Sequence, residues 1–190
     1  LLGKSARIDR ATGLRWGLYF AGATGIWLAF HTPVLSDDVY RYLWDGKLLR
    51  HGIDPYAHPP DSPALAHLRD ELWRSINHKD IATIYPAAAQ LVFALADGLF
   101  HHPASMQIMA LFGHLAAVGL VSRACSEEDG LPCLILAINP LALCESAQSG
   151  HVDALVGASI LAAALALRQG HWKKATLWVT AATGLKLVGL

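Results

Sequence analysis

The chain has 190 residues, 54% of them hydrophobic and 16% charged, with a mean hydropathy of +0.35. Soluble domains carry about 25% charged residues, so this composition suits an apolar surrounding. Fifteen basic and fifteen acidic residues cancel to zero net charge, which excludes the basic field of a nucleic-acid-binding domain.

Roughly 20 consecutive apolar residues cross a bilayer core. Residues 14–31 form the first such segment, preceded by Lys4, Arg7, Arg10 and Arg15. A long polar segment, 32–103, follows. It opens with Ser36-Asp37-Asp38-Val39-Tyr40-Arg41-Tyr42-Leu43-Trp44-Asp45-Gly46, a dense cluster of carboxylates, aromatics and an arginine at the mouth of a predicted span. Residues 38–49 read as a short helix in which Asp38, Arg41, Tyr42 and Asp45 recur at i, i+3, i+4 and i+7 and share one face. Ile53-Asp54-Pro55-Tyr56 and Pro59-Pro60 break it. Ser62-Pro63, followed by Leu65, Leu68, Leu72 and Trp73, reads as a second, amphipathic helix capped by Ser62 and lying along the membrane plane.

Residues 82–100 contain Pro86, Gln90 and Asp97 and are less purely apolar. Three further segments, 104–122, 131–147 and 153–167, are candidate spans, and 175–190 is an open-ended fifth. Their many Gly, Ala and Ser residues allow close helix packing in lipid. The expected fold is therefore all-α: a polytopic transmembrane helical bundle with interfacial helices in its long outer loop. The positive-inside rule places the first basic cluster and Arg168, Lys173 and Lys174 in the cytoplasm if 82–100 lies in the interface and does not cross. Arg123 with Glu127, Glu128 and Asp129 would share that side, although this loop is net acidic. The chain opens on Leu1 and stops inside an apolar run, so it reads as the N-terminal part of a longer protein.

Asp37 and Asp38 are the candidate catalytic residues. A carboxylate at the bilayer interface can act as a general base or bind a cation; Ser36-Asp37 also fits a helix cap. Arg41 offers a fork for phosphate or carboxylate, with an i, i+4 ion pair to Asp37 or Asp45 as the alternative. Tyr40, Tyr42 and Trp44 could stack on a sugar, and Trp44 equally suits an interfacial belt. A second constellation comprises Asn139-Pro140, Glu145 and Gln148-Ser149-Gly150-His151-Val152-Asp153. Pro140 should kink its span, and Glu145 near a helix end needs a cavity or partner. The topology puts His151 and Asp153 beside Asp38. Lys186, in the last apolar run, could meet a lipid phosphate or snorkel to the interface. His114, mid-span, should bond a neighbouring helix. Cys125, Cys133 and Cys144 lack metal-ligand spacing and read as packing residues.

The strings SDDVYRYLWDGKLLRHGIDPYAHPPDSPALAHLRDELW, INHKDIATIYPAAAQLVFAL, NPLALCESAQSGHVDAL and TGLKL together resemble bacterial integral-membrane glycosyltransferases of the GT-C type. They are most similar to polyprenol-phosphate-mannose-dependent α-mannosyltransferases. The resemblance covers about residues 30–190. It implies a many-helix bundle in the bacterial cytoplasmic membrane, with its site on the outer face. It implies a polyprenyl phosphosugar donor, a glycan or glycolipid acceptor, and an acidic general base in the first outer loop, which maps onto Asp37 or Asp38 and best onto Asp38. The family's Y-P-P-x-A-Q becomes Tyr85-Pro86-Ala87-Ala88-Ala89-Gln90, keeping Tyr85 but losing the second proline. Its S-G-H-N-D becomes Ser149-Gly150-His151-Val152-Asp153, keeping His151 and Asp153 but not the asparagine. Substrate contacts are expected from Arg41, Tyr42, Asp45, Tyr85, Glu145, His151, Asp153 and Lys186. No cofactor is demanded, although a divalent cation would be compatible. Two other classes share part of the pattern: a lipid-carrier flippase, which should show inverted repeats, and a non-catalytic membrane scaffold.

Overall fold

The computed structural model describes residues 8–187, and its regular structure is entirely helical. In chain order the helices are α1 (Arg10–Ala29), α2 (Asp38–Arg50), α3 (Glu71–Arg74), α4 (Ala87–Leu99), α5 (Pro103–Ala124), α6 (Leu131–Ile138), α7 (Pro140–Leu143), α8 (Asp153–Arg168) and α9 (Trp172–Leu185). A 3-10 helix, Pro63–Leu68, precedes α3, and a π-helical turn, Cys144–Gln148, follows α7. Lys4, Arg7 and residues 188–190 lie outside the described residues.

Among the described residues, α5 is the one continuous helix long and apolar enough to cross a bilayer. The expected span 131–147 is two pieces bent by 52°. Pro140 has no N–H to offer the preceding turn, and Asn139 leaves helical geometry at ψ 115°. Asn139 then starts α7 by accepting from the Ala142 N–H at 3.1 Å. The break leaves the Ala137 carbonyl without its helical donor, and His114 Nε2 approaches it at 3.4 Å, the inter-helix bond expected of that histidine. The other expected spans fall short. Helix α1 has 20 residues but carries Arg10 and Arg15, while α8 and α9 have 16 and 14 residues. Gly170, at φ +73°, ends the α8 turn, and the backbone becomes extended at Lys186.

Packing in this bundle relies on small residues. The buried positions of α1 are Gly13, Gly17, Ala21, Gly25 and Ala29, a single stripe at four-residue spacing. Its large side chains, Trp16, Tyr19, Phe20, Ile26 and Trp27, are exposed. Helix α8 likewise buries mostly small residues, Ala158, Ser159, Ala162, Ala163 and Ala166 beside Val156, and exposes Ile160 and Leu167.

The segment 38–100 packs as a cap. Helix α2 crosses α4 so closely that a Cβ on Gly46 would run into the backbone at Phe93 and Ala94. Overpacking of this kind costs about 1–3 kcal/mol. Gly46→Ala is therefore expected to lower the thermal midpoint of the purified chain by several degrees, read by a melt in detergent. The amphipathic helix expected from Ser62 onward is not continuous. Ser62 makes no side-chain cap bond, and the chain extends at Arg69 and Asp70 before α3 begins. The break lets Lys47 Nζ reach both the Leu68 carbonyl at 2.7 Å and Asp70 at 2.6 Å. Burial raises the Asp70 carboxyl, but Lys47, the Trp73 N–H and His101 outweigh it and hold the group below the ordinary aspartate value. Helix α4 starts only at Ala87, because Pro86 favours an extended approach.

The bundle has two polar ends. At one, Arg10 pairs with Glu127, and Gly130 N–H donates to the Ile8 carbonyl at 2.7 Å. At the other, Gln107 Nε2 donates to the His31 carbonyl at 3.1 Å and the Gln148 carbonyl at 2.7 Å, while Gln148 Nε2 donates to Thr32 O at 3.2 Å. These bonds join the exit of α1, the start of α5 and the π-helical turn, and so seat the start of α2 against the 148–153 turn.

Candidate functional site

Asp38 is the first residue of α2, where an acidic side chain complements the exposed N–H groups of the first turn. Its backbone N–H donates to Ser36 Oγ at 3.2 Å. Asp37 holds the N-cap position but makes no side-chain cap bond. Both carboxylates are gathered by Asn77, whose Nδ2 donates to Asp37 Oδ1 at 2.6 Å and Asp38 Oδ1 at 2.9 Å.

The second wall is the π-helical turn and the glycine after it. The extra residue in that turn directs Glu145 and the following chain back toward α2, a local widening that recurs at functional sites. Gly150 sits at φ +71°, where a Cβ would be strained and would press on Val39 and Gln107. His151 follows, with Nδ1 2.6 Å from Glu145 Oε2 and Nε2 3.9 Å from Asp38 Oδ2. Asp38 and His151, 113 positions apart in the chain, thus face each other. Asp153 begins α8 and binds Lys186 Nζ through both carboxylate oxygens, at 2.7 and 2.8 Å. Lys186 lies just past the end of α9 rather than in mid-helix, and it is already paired.

The remaining predicted residues sit elsewhere. Tyr42 is not a free sugar platform: it is buried and stacked on Phe93 at 4.5 Å and 7°. Its hydroxyl lies 3.4 Å from that of Tyr85, whose own ring packs edge-on against both. Burial raises both phenols above the ordinary tyrosine value, so they stay protonated and can only donate or accept hydrogen bonds here. Trp44 is neither a platform nor part of a belt; it is buried with Leu48, Leu65 and Ile76. Arg41 is not an open phosphate clamp. Its Nε donates to Asp45 at 2.9 Å, and its terminal nitrogens donate to the His78 and Ile81 carbonyls at 3.3 and 2.9 Å. The i, i+4 pair is the arrangement present, and it ties down the 77–83 segment rather than facing an opening. Burial raises the Asp45 carboxyl, with Arg41, Thr83 and Gln90 acting against it.

Asn77 is the residue that sequence reasoning missed. It lies in an irregular segment with no periodicity to flag it, next to His78 at φ +45°. Hydrogen bonds to charged groups contribute about 1.5–3 kcal/mol. Asn77→Ala is expected to lower kcat by about tenfold or more, read in a sugar-transfer assay, and the thermal midpoint by a few degrees, read by a melt.

An apolar groove of about 950 Å³ runs between α5, α8 and α9, and Asp38, Glu145, His151, Asp153 and Lys186 do not line it. Val92, Leu155 and Leu185 line it near the Asp153–Lys186 pair, and Arg10 and Arg123 line its far end. Among the described residues, no three His, Cys, Asp or Glu side chains are placed to share a metal ion. A part-exposed carboxylate, a histidine beside it and an ammonium next in the chain to groove-lining Leu185 can together accept a proton and bind an amphiphilic anion.

The family model described as alpha-(1->6)-mannopyranosyltransferase, N-terminal domain, matches residues 2–190, and the chain belongs to that family. The assignment supports a mannosyltransferase of the GT-C type, and so a glycosyltransferase that takes a sugar donor and an acceptor. No curated protein and no solved structure matches the chain.

Proposed function

We propose that this mannosyltransferase domain works at the outer face of the bacterial cytoplasmic membrane. It moves mannose from a polyprenyl phosphosugar to a glycan or glycolipid hydroxyl, with Asp38 as the general base. Asp38 takes the proton of the acceptor hydroxyl, whose oxygen forms a bond to the anomeric carbon of the donor. The bond from that carbon to the phosphate oxygen breaks, and its electron pair leaves with the lipid phosphate. Configuration inverts. Lys186, released from Asp153, meets the charge on the leaving phosphate.

The observation that carries this reading is the meeting of Asp38 with His151 beside the Asp153–Lys186 pair, with Lys186 next in the chain to groove-lining Leu185. Phosphate chemistry and hydrocarbon then have adjoining places. A membrane setting is supported by the inverted packing of α1 and α8, with small residues inside and large apolar ones outside. Water-soluble helices bury their large apolar residues, whereas helices in lipid approach through small ones. Short α8 and α9 then lie in the bilayer with local thinning or tilt of their neighbours.

The test supplies the full-length protein, in lipid nanodiscs, with labelled polyprenyl phosphomannose or with a nucleotide-activated mannose, plus a mannosyl acceptor. Transfer from the lipid-linked donor alone supports the reading. Transfer from the nucleotide sugar alone, or from neither, overturns it. For topology, His58→Cys should react with an impermeant thiol reagent in intact cells, and Arg168→Cys only after permeabilisation.

A further inference from the structure

We infer that His151, held by Glu145, receives the acceptor's proton from Asp38, so that Asp38 is an intermediate stop for that proton and is restored within the turnover. The inference rests on Asp38 being the base proposed above.

A carboxylate only accepts hydrogen bonds, so the 2.6 Å contact to Glu145 Oε2 requires the hydrogen on His151 Nδ1. In the neutral ring, Nε2 is then a bare lone pair. That atom is buried and has no hydrogen-bond partner among the described residues. Buried polar atoms are nearly always partnered, so this one needs a reason. The carboxylate oxygen paired with it is Asp38 Oδ2, at 3.9 Å. Asn77 is bonded to the other oxygen, Oδ1, which leaves Oδ2 as the one that faces the histidine on a part-exposed carboxylate.

Two acceptors therefore face each other across 3.9 Å with no hydrogen between them. One proton converts the pair into a hydrogen bond, and the reaction delivers one. The acceptor O–H bond breaks toward Asp38 Oδ2 as the new glycosidic bond forms. The proton then passes from Oδ2 to Nε2 as the carboxylate rotates into contact. The resulting imidazolium lies between Glu145 and the regenerated Asp38 carboxylate. Its positive charge appears in the same step sequence as the added negative charge on the leaving phosphate. The ring meets Glu145 from the π-helical turn and Asp38 from α2; Asp37 and Asp153 lie one and two residues away in the chain from Asp38 and His151, with Lys186 bound to Asp153. From α5, Gln107 lies against Gly150 and is neutral. Glu145 and His151 are positioning residues, since neither needs to touch the sugar.

Two readouts test this on the full-length protein. In transfer assays, His151→Gln is expected to lower kcat on the order of tenfold to a hundredfold with the donor KM within about twofold. The acid side of the kcat–pH profile should differ between the wild type and His151→Gln, a change that a merely structural role would not produce. Glu145→Gln should act in the same direction, with Glu145→Asp recovering part of the rate. An acid limb unchanged by His151→Gln overturns the inference while leaving Asp38 as the base. Independently of any activity, ¹⁵N-histidine spectra in detergent should show His151 protonated at Nδ1 in the wild type and a tautomer mixture in Glu145→Gln. A wild-type ring protonated at Nε2 overturns the relay whatever the transfer assay gives, whereas a wild type that moves no sugar overturns only the proposed function.

Discussion

Asp38→Asn is expected to lower mannosyl transfer by about a thousandfold, within the range that positioned general bases contribute, and to leave the melt close to that of the wild type. The structure makes this substitution clean. Asparagine keeps an oxygen to accept from Asn77, as Asp38 Oδ1 does at 2.9 Å, and it preserves the first turn of α2. What it removes is the proton-accepting oxygen that faces His151. Asp37→Asn should cost far less. Asp37 sits one residue earlier, at the N-cap, and the carboxylate that approaches His151 Nε2 is that of Asp38. Comparing the two variants in the nanodisc assay therefore separates adjacent carboxylates that the sequence left as alternatives. Retention of more than a tenth of the wild-type rate by Asp38→Asn would remove the residue from the chemistry.

The two halves of this site were not equally legible in the sequence. The parity of apolar segments brought the start of α2 and the Ser149–Asp153 turn to one end, and they do meet there. Lys186 also reaches that end, through its pair with Asp153. The π-helical turn that aims Glu145 left no periodic signal, and neither did the placement of Asn77. The face Asp38, Arg41, Tyr42, Asp45 was read correctly as one side of a helix. Period alone does not say what covers a face. Residues 77–85 and α4 close over most of this one, so Tyr42 packs on Phe93 and Arg41 is walled in by the His78 and Ile81 carbonyls. Only Asp38, at the open end, remains accessible. Apolar runs set the ends of most helices well: 104–122 and 153–167 were expected, and α5 and α8 run Pro103–Ala124 and Asp153–Arg168; hydropathy did not register the break at Asn139 or the change of backbone at Lys186.

Arg41→Ala is the substitution with the largest expected effect on stability. Arg41 and Asp45 are 6% and 1% exposed, so removing the guanidinium strands a carboxylate where water cannot reach it. The same change leaves the His78 and Ile81 carbonyls without their donor. Removing one partner of a buried pair costs about 3–5 kcal/mol. Burial already raises the Asp45 carboxyl, and losing Arg41 raises it further, so the neutral acid relieves part of the buried charge and the loss falls toward the lower end of that range. Arg41→Lys should recover little, because one ammonium cannot serve a carboxylate and two carbonyls in the fork geometry seen here. Arg41→Met combined with Asp45→Leu should be milder than Arg41→Ala alone, since no charge is then buried without a partner. Activity should fall along with stability, because the segment tied down by Arg41 carries Asn77 and Tyr85. Denaturation of the full-length protein, followed beside the transfer assay, distinguishes this from direct substrate binding. An Arg41→Ala protein that melts like the wild type but shows a raised donor KM would return the guanidinium to the phosphate, and would require the 77–83 segment to open before donor binds.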